Sequence, residues 1–295
     1  MDQERDQGLI FQIDGVPFRV REKPDLSWLP AYGRVFRVFD GLLSGNLCFR
    51  VEGKFGRLFI KYAGASPMGF TGHPRQAVET LKNAMPLYQR SHPALTQLLG
   101  HGPTKEGYAA IFVWQEAQAL YEIGPSPALR LVQQQPWAAS LKMLDSLIDL
   151  HVQLAEEGYV AVDLSEDNLL IDRMGGRAIL CDIDLYRKKP ARNDRGKMPG
   201  SPRMLAPEEY QLDAPLNDAT TVYHLGALAF SFFGDVLQQK KQAWHGPACL
   251  FPIAQRACSP NPEKRYPTVR AFQQAWRDGV AQTPLLSVEE DIRIK

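Results

Sequence analysis

The sequence predicts an α+β chain in which a small β-rich half precedes a larger, mainly helical half, and three features point there. Between Gly33 and Ala63 lie the alternating or apolar segments GRVFRVF, NLCFRVEG and RLFIKYA, broken by Gly41, Gly45, Gly53 and Gly56; this is the pattern of an antiparallel meander. After Gln115, the segment PWAASLKMLDSLIDLHVQLAEEG sets Leu141, Leu144, Ile148, His151 and Ala155 at three- and four-residue steps, an amphipathic helix opened by Pro136 and closed by Gly158. Further on, TTVYHLGALAFSFF is apolar on nearly every side, as a helix through the middle of a large lobe is.

The elements follow in order. LIFQIDGVPFRVRE carries two apolar runs around Asp14-Gly15, a short-hairpin signal, and reads as an N-terminal extension over residues 1–32, either a brace on the small half, which is favoured, or a partner-binding strand pair. The meander follows. Pro74 then opens a helix-like stretch, RQAVETLKNAMPLYQRS, which Pro86 is expected to kink or end. Strand signals around Leu98 to His101 and in YAAIFVWQ complete a small β-rich lobe over 33–116, and the helical lobe takes 117–295. The run RKKPARNDRGK, with its Pro and Gly, reads as a loop.

Composition narrows the function classes. The chain has 295 residues, 44% hydrophobic and 23% charged, close to globular averages and unlike disordered or fibrous proteins. A balance of 34 Lys and Arg against 33 Asp and Glu leaves a net charge of +1, so nucleic acid is not expected as a partner. The longest apolar run, Val222 to Phe233, is interrupted by His224 and falls short of the ~20 residues of a membrane span. The opening MDQERDQ has no signal-peptide pattern, and a cytoplasmic address with no membrane partner is expected. Cys48, Cys181, Cys249 and Cys258 are scattered, with no metal or redox spacing, and read as reduced thiols. Oligomeric state is not written in the sequence.

The chemistry concentrates in GYVAVDLSEDNLLID, where Asn168 follows Asp163 by five residues, and in the strand end ILCDID. Carboxylates and an amide at strand ends supply hard oxygen ligands for Mg²⁺ and one carboxylate for an attacking hydroxyl. Taken alone, D-x-x-x-x-N is a weak signal, commonly a solvated turn.

The order of landmarks on either side resembles the protein-kinase superfamily. Lys61 closes LFIK as the lysine closes the family's V-A-I-K motif, and Glu79 stands 18 residues on, where the family's ion-pairing Glu lies. GYVAVDLSEDN looks like the catalytic loop, LCDID like the metal-binding D-F-G, and GSPRMLAPEEY like the A-P-E segment. NPEKRYPTVRAF resembles the late helical segment whose Arg, here Arg265, pairs with the Glu of that segment, here Glu208. The resemblance spans residues 33 to 277. It implies a bilobal kinase-like fold: a small antiparallel sheet with one main helix, then a larger helical lobe. It also implies an ATP- and Mg²⁺-dependent phosphotransferase. In that reading Lys61, oriented by Glu79, holds the α- and β-phosphates, and Gly41 and Gly45 line the loop over the nucleotide. Backbone at Gln115, Glu116 and Ala117 reads adenine. Asn168 and Asp182 hold the metal with help from Asp184, and Asp163 serves the attacking hydroxyl.

Departures from the family pattern are informative. The nucleotide loop has only its first glycine in register, with Gly45 displaced. Ala161-Val162 replace the His-Arg before the catalytic Asp, which removes the arginine that docks a phosphorylated activation segment. Ser165 stands where Ser/Thr kinases carry a lysine, and one of Arg187, Lys188 or Lys189 is a candidate replacement cation. Asp182-Ile183-Asp184 is similar to the D-h-D of aminoglycoside and choline kinases. Three readings stay open: a Ser/Thr protein kinase with a protein acceptor, favoured by the A-P-E segment; a small-molecule kinase, favoured by D-h-D and Ser165; and a nucleotide-binding pseudokinase. The retained Lys61, Asp163, Asn168 and Asp182 weigh against the last.

Overall fold

The computed structural model describes residues 8–283 apart from 123 and 173–175. The fold is α+β, and the chain divides into two compact units, Met1–Glu116 and Ala117–Lys295.

In the first unit, β1 (Leu9–Ile13) and β2 (Val16–Val20) pair across the Asp14-Gly15 turn with Phe11 opposite Phe18. Five strands then form one antiparallel sheet: β3 (Arg34–Phe39), β4 (Asn46–Gly53), β5 (Gly56–Ala63), β6 (Leu98–Pro103) and β7 (Tyr108–Val113), in the order β3-β4-β5-β7-β6. The meander read from the sequence is β3-β4-β5. Phe18 and Val20 are buried with Leu29, Val35, Phe49 and Ile60, so the N-terminal hairpin is part of this core. Two backbone amides fasten it: Val35 donates to Asp14 Oδ2 at 2.7 Å and Arg19 to Asp40 Oδ2 at 2.6 Å.

Helix α1 (Pro74–Tyr88) packs on β5 and β7 through Ala77, Leu81, Ala84, Met85 and Tyr88. Its N-terminus is capped by His73, whose Nδ1 accepts from Arg75 N, while the Gln76 side chain accepts from His73 N. Pro86 neither ends nor precedes the end of the helix by a full turn. It sits in the last turn, where its missing N–H leaves only the Lys82 carbonyl without an intrahelical donor.

The second unit is built around α4 (Asp218–Phe233), all of whose residues are buried except Asp218 and Tyr223. Its all-round apolar sequence answers to neighbours on several sides: α2 (Pro127–Gln134), α3 (Trp137–Glu156), α5 (Phe251–Ala257) and α6 (Val269–Ala281). Short strands carry the loops of interest. β8 (Ala117–Ala119) pairs with β12 (Leu169–Asp172), which pairs with β13 (Arg177–Leu180). The two-residue strands β9 (Tyr121–Glu122) and β10 (Gly124–Pro125) form one pair. β11 (Tyr159–Val160) with β14 (Arg187–Lys188), and β15 (Ala191–Arg192) with β16 (Pro215–Leu216), form two more. Among the described residues no helix is long and apolar enough to cross a membrane.

Candidate active site

In the first unit, Lys61 lies on the face of β5 opposite the core residues Leu58, Ile60 and Tyr62, against α1, and is only 4% exposed. A buried ammonium needs partners. Lys61 Nζ donates to Tyr88 Oη at 3.2 Å and lies over the rings of Tyr88 and Phe112, at 5.5 and 5.9 Å from their centroids. The expected pairing with Glu79 is not made: Glu79 is exposed, and no ion pair joins it to Lys61 among the described residues. Helix phase explains this. Glu79 is two residues past the buried Ala77, or about 200° around the helix axis. Tyr88, at the end of the buried stripe, lies where Lys61 can reach it, and sequence reading missed it because Pro86 obscured the helix phase.

Of the two glycines expected over a nucleotide, only Gly45 has a structural reason to be glycine. Its φ is +82°, and an added Cβ would lie 2.9 Å from both Ala77 Cβ and the Phe70 ring. Gly41 is exposed with open space around it. The division between the units falls at Glu116/Ala117, within the stretch expected to read adenine. Glu116 is ion-paired with Arg57 in the first unit, and Ala117 pairs with Asp172 in the second, with Gln115 partly buried.

In the second unit, strand register brings the expected metal ligands together. Leu169 faces Leu180 in the β12–β13 ladder, so the next residues outward are Asn168 and Cys181, and Cys181 N donates to Asn168 O at 2.9 Å. Asp182 therefore stands beside Asn168. Asp182 Oδ1 accepts from Asp184 N at 3.0 Å, which folds the D-I-D turn upon itself, with Ile183 and Asp184 buried. On the other side, Asn168 Nδ2 donates to the Asp163 carbonyl at 2.8 Å and fixes the catalytic-type loop. Asp163 takes a left-handed conformation, φ 63°, uncommon for a residue with a side chain. The backbone before it is anchored by Thr221 of α4, whose hydroxyl accepts from Ala161 N at 3.0 Å.

Electrostatics set Asp163 apart. Burial disfavours its ionised form, the neighbouring charge of Asp182 adds to this, and its pKa is pushed up to about 7. Beneath the loop, His224 of α4 meets Glu209 across 2.6 Å, and both are essentially solvent-free. Burial alone would lower the His224 pKa, but the Glu209 carboxylate overrides this and raises it.

The segment after the D-I-D turn is held by apolar burial and hydrogen bonds to backbone carbonyls. Val162, where the resemblance expects an Arg, packs instead with Val160, Met198, Leu205 and Leu216 in a buried apolar cluster. Buried Asn193 staples the same segment, its amide donating to the carbonyls of Gly196 and Glu209 at 2.9 Å each. Gly200 (φ +136°) lies so close to the catalytic-type loop that a Cβ there would sit 3.0 Å from Leu205 Cδ2 and 3.3 Å from Asp163 Oδ1. Glu208 and Arg265 form the expected pair, bidentate at 2.7 and 2.9 Å and buried.

Members of the basic run already have neighbours of their own. Arg187 is paired with Asp194 at 2.8 Å, Lys189 with Asp218 at 2.6 Å, and Lys188 lies over the Tyr159 ring. The cation tied to the catalytic-type loop is Arg203, paired with buried Glu166 at 3.0 Å and stacked 4.5 Å over the Tyr121 ring. No short-range pattern in the sequence links Arg203 to Glu166, which are 37 residues apart.

No protein-family model matches the chain, and no curated protein does. Among solved structures it is similar to PpkA-294 in its apo form, with a TM-score of 0.59, 18% identity, and coverage of 82% of this chain and 95% of that chain. At that identity the likeness shows the fold alone.

Proposed function

We propose that this chain is an ATP- and Mg²⁺-dependent phosphotransferase of protein-kinase-like, bilobal fold that transfers the γ-phosphoryl of ATP to a protein Ser or Thr hydroxyl. The observation that carries the reading is the convergence in the second unit of Asp163, Asn168, Asp182 and Asp184 on two adjoining loops. The likeness to PpkA-294 in its apo form supports the fold and goes no further.

The donor set suits Mg²⁺: one amide and two carboxylates, all hard oxygen ligands, beside an Asp163 whose ionisation the Asp182 charge opposes and a cation would ease. Among the described residues no three His, Cys, Asp or Glu side chains gather into a protein-only metal cage; Mg²⁺ needs none, since it keeps water and takes phosphate oxygens as ligands. Bound there, it would neutralise charge on the transferring phosphoryl group. Asn168, Asp182 and Asp184 would hold it. Lys61 supplies an ammonium for nucleotide phosphates, with Tyr88 fixing its position. Asp163, with a pKa near the working pH, orients the acceptor hydroxyl and takes its proton. The docked A-P-E segment, tied down by Glu208 and Arg265, favours a protein acceptor over a small molecule.

The test is phosphoryl transfer from labelled Mg²⁺-ATP to a generic protein mixture, run beside Asp163→Ala. Label on protein that disappears in the variant supports the reading. Transfer only when a metabolite is added moves the acceptor class to small molecules, and an equal signal from the variant removes the enzyme reading.

A further inference from the structure

We propose that the face of the second unit formed by Arg187–Arg203 recognises acidic stretches flanking the acceptor hydroxyl; this rests on Asp163 being the transfer site. Between Asp184 and Ala206 the chain carries seven Lys or Arg and one carboxylate, Asp194, in a protein whose net charge is only +1. The excess is therefore local. Three of these cations are already matched: Arg187 by Asp194, Lys189 by Asp218, Arg203 by Glu166.

Four are left with no carboxylate of their own. Lys188 and Lys197 are exposed and lie over the rings of Tyr159 and Tyr210, at 5.8 and 5.9 Å. Exposed Arg195 is 3.8 Å from Asp194, which Arg187 already occupies at 2.8 Å, and exposed Arg192 donates to the backbone carbonyl of Asp213 at 2.6 Å. The one other carboxylate on the adjoining turn, Asp213, forms no ion pair among the described residues.

The surface is also built and placed. Asn193, fully buried, fixes the loop through the carbonyls of Gly196 and Glu209, and Met198 N donates to Glu209 O at 2.8 Å. The cations are thus presented on a fixed frame, and less ordering is needed when a ligand binds. Gly200 lies against Asp163, so a chain whose hydroxyl reaches that carboxylate passes this segment. Tyr210 and Leu212, 45% and 64% exposed, add apolar surface beside Lys197 and Arg192. Charge with interspersed apolar contact fits an acidic polypeptide better than a polyanion recognised by charge alone.

The experiment uses three labelled peptides, identical but for residues flanking one serine: aspartate, asparagine or lysine. Binding to the full chain is read by fluorescence anisotropy, without nucleotide, beside the triple variant Lys188→Glu/Arg195→Glu/Lys197→Glu. We expect the aspartate peptide to bind at least about tenfold tighter than the lysine peptide, to weaken as salt rises, and to lose that preference in the variant. Should the variant melt early, the single changes Lys188→Glu and Lys197→Glu carry the same comparison.

Equal binding of the three peptides, or an unchanged preference in the variants, overturns the proposal. So does displacement of the aspartate peptide by single-stranded DNA of equal charge at equal concentration. Asp163-dependent transfer without charge preference would overturn this inference and leave the enzyme reading intact. Charge-selective binding with no transfer would do the reverse, leaving a docking surface on a protein that is not an enzyme.

Discussion

Replacing Arg265 by methionine should unfold the second unit at markedly lower temperature. The guanidinium is 1% exposed and makes four bonds: two to Glu208, one to Ser259 O at 2.7 Å and one to Ala219 O at 2.9 Å, with the Tyr223 ring 4.8 Å away. Methionine fills much of the volume but leaves a buried carboxylate whose remaining side-chain donor is Thr220, 2.9 Å from Oε1. Removing one partner of a buried pair costs about 3–5 kcal/mol. For a unit of this size that corresponds to a fall of roughly 6–20 °C in Tm. The double variant Glu208→Gln/Arg265→Met should recover part of the loss, because no charge is then stranded. The pH dependence has a definite sign. Burial would raise the Glu208 pKa, but Arg265 outweighs it and holds the carboxyl below its ordinary value. A depressed native pKa stabilises above the unfolded value, about 4.3, and that contribution fades as pH falls through the native one. The Tm gap between wild type and Arg265→Met, followed by scanning calorimetry from pH 7 downward, should therefore narrow in acid. A loss under about 3 °C, or a gap that does not change with pH, would refute the reasoning.

Five further outcomes are expected. Asp163→Asn should cut transfer by about 10²–10⁴-fold while raising Tm above neutral pH, since it removes a carboxylate whose ionised form is opposed by burial and by Asp182. Wild-type kcat/KM should rise with pH along a limb at or below about 7. Tyr88→Phe should weaken nucleotide binding by a few-fold, corresponding to a hydrogen bond of about 1 kcal/mol, whereas Glu79→Gln should change it less than about twofold; isothermal titration separates the two. The stability advantage of wild type over Glu209→Gln should be greatest below about pH 6.5 and shrink as pH rises through the raised pKa of His224, as followed by thermal melts. Phosphatase treatment should leave transfer unchanged, since Val162 and Asn193 dock the segment without phosphate; a several-fold gain on segment phosphorylation would contradict this.

Local patterns were legible in the sequence. The apolar segments GRVFRVF, NLCFRVEG and RLFIKYA become the paired strands β3, β4 and β5, with both faces of β4 and β5 buried where Asn46–Phe49 and Ile60–Ala63 run, and the Asp14-Gly15 hairpin pairs as its two-residue turn dictates. The unbroken apolar circumference of α4 announced the centre of a helical unit. Features set by partners far apart in the chain were not legible. Glu79 and Tyr88 differ in which way they face, and a proline two residues before the helix end hid the phase that decides it. Arg187, Lys188 and Lys189 formed a conspicuous run, yet their partners are Asp194, the Tyr159 ring and Asp218, and no spacing rule could assign these. Asn193 looked like one more polar loop residue, but it is fully buried and bonds to three backbone carbonyls.

The most direct test is intact-mass spectrometry of phosphatase-treated protein after incubation with Mg²⁺-ATP and a serine-containing protein acceptor, beside Asp163→Ala. Additions of phosphoryl mass on the chain or the acceptor with wild type, and none with the variant, are the outcome expected of a protein kinase that works through Asp163. Unchanged masses in both samples, or equal additions in both, would contradict it.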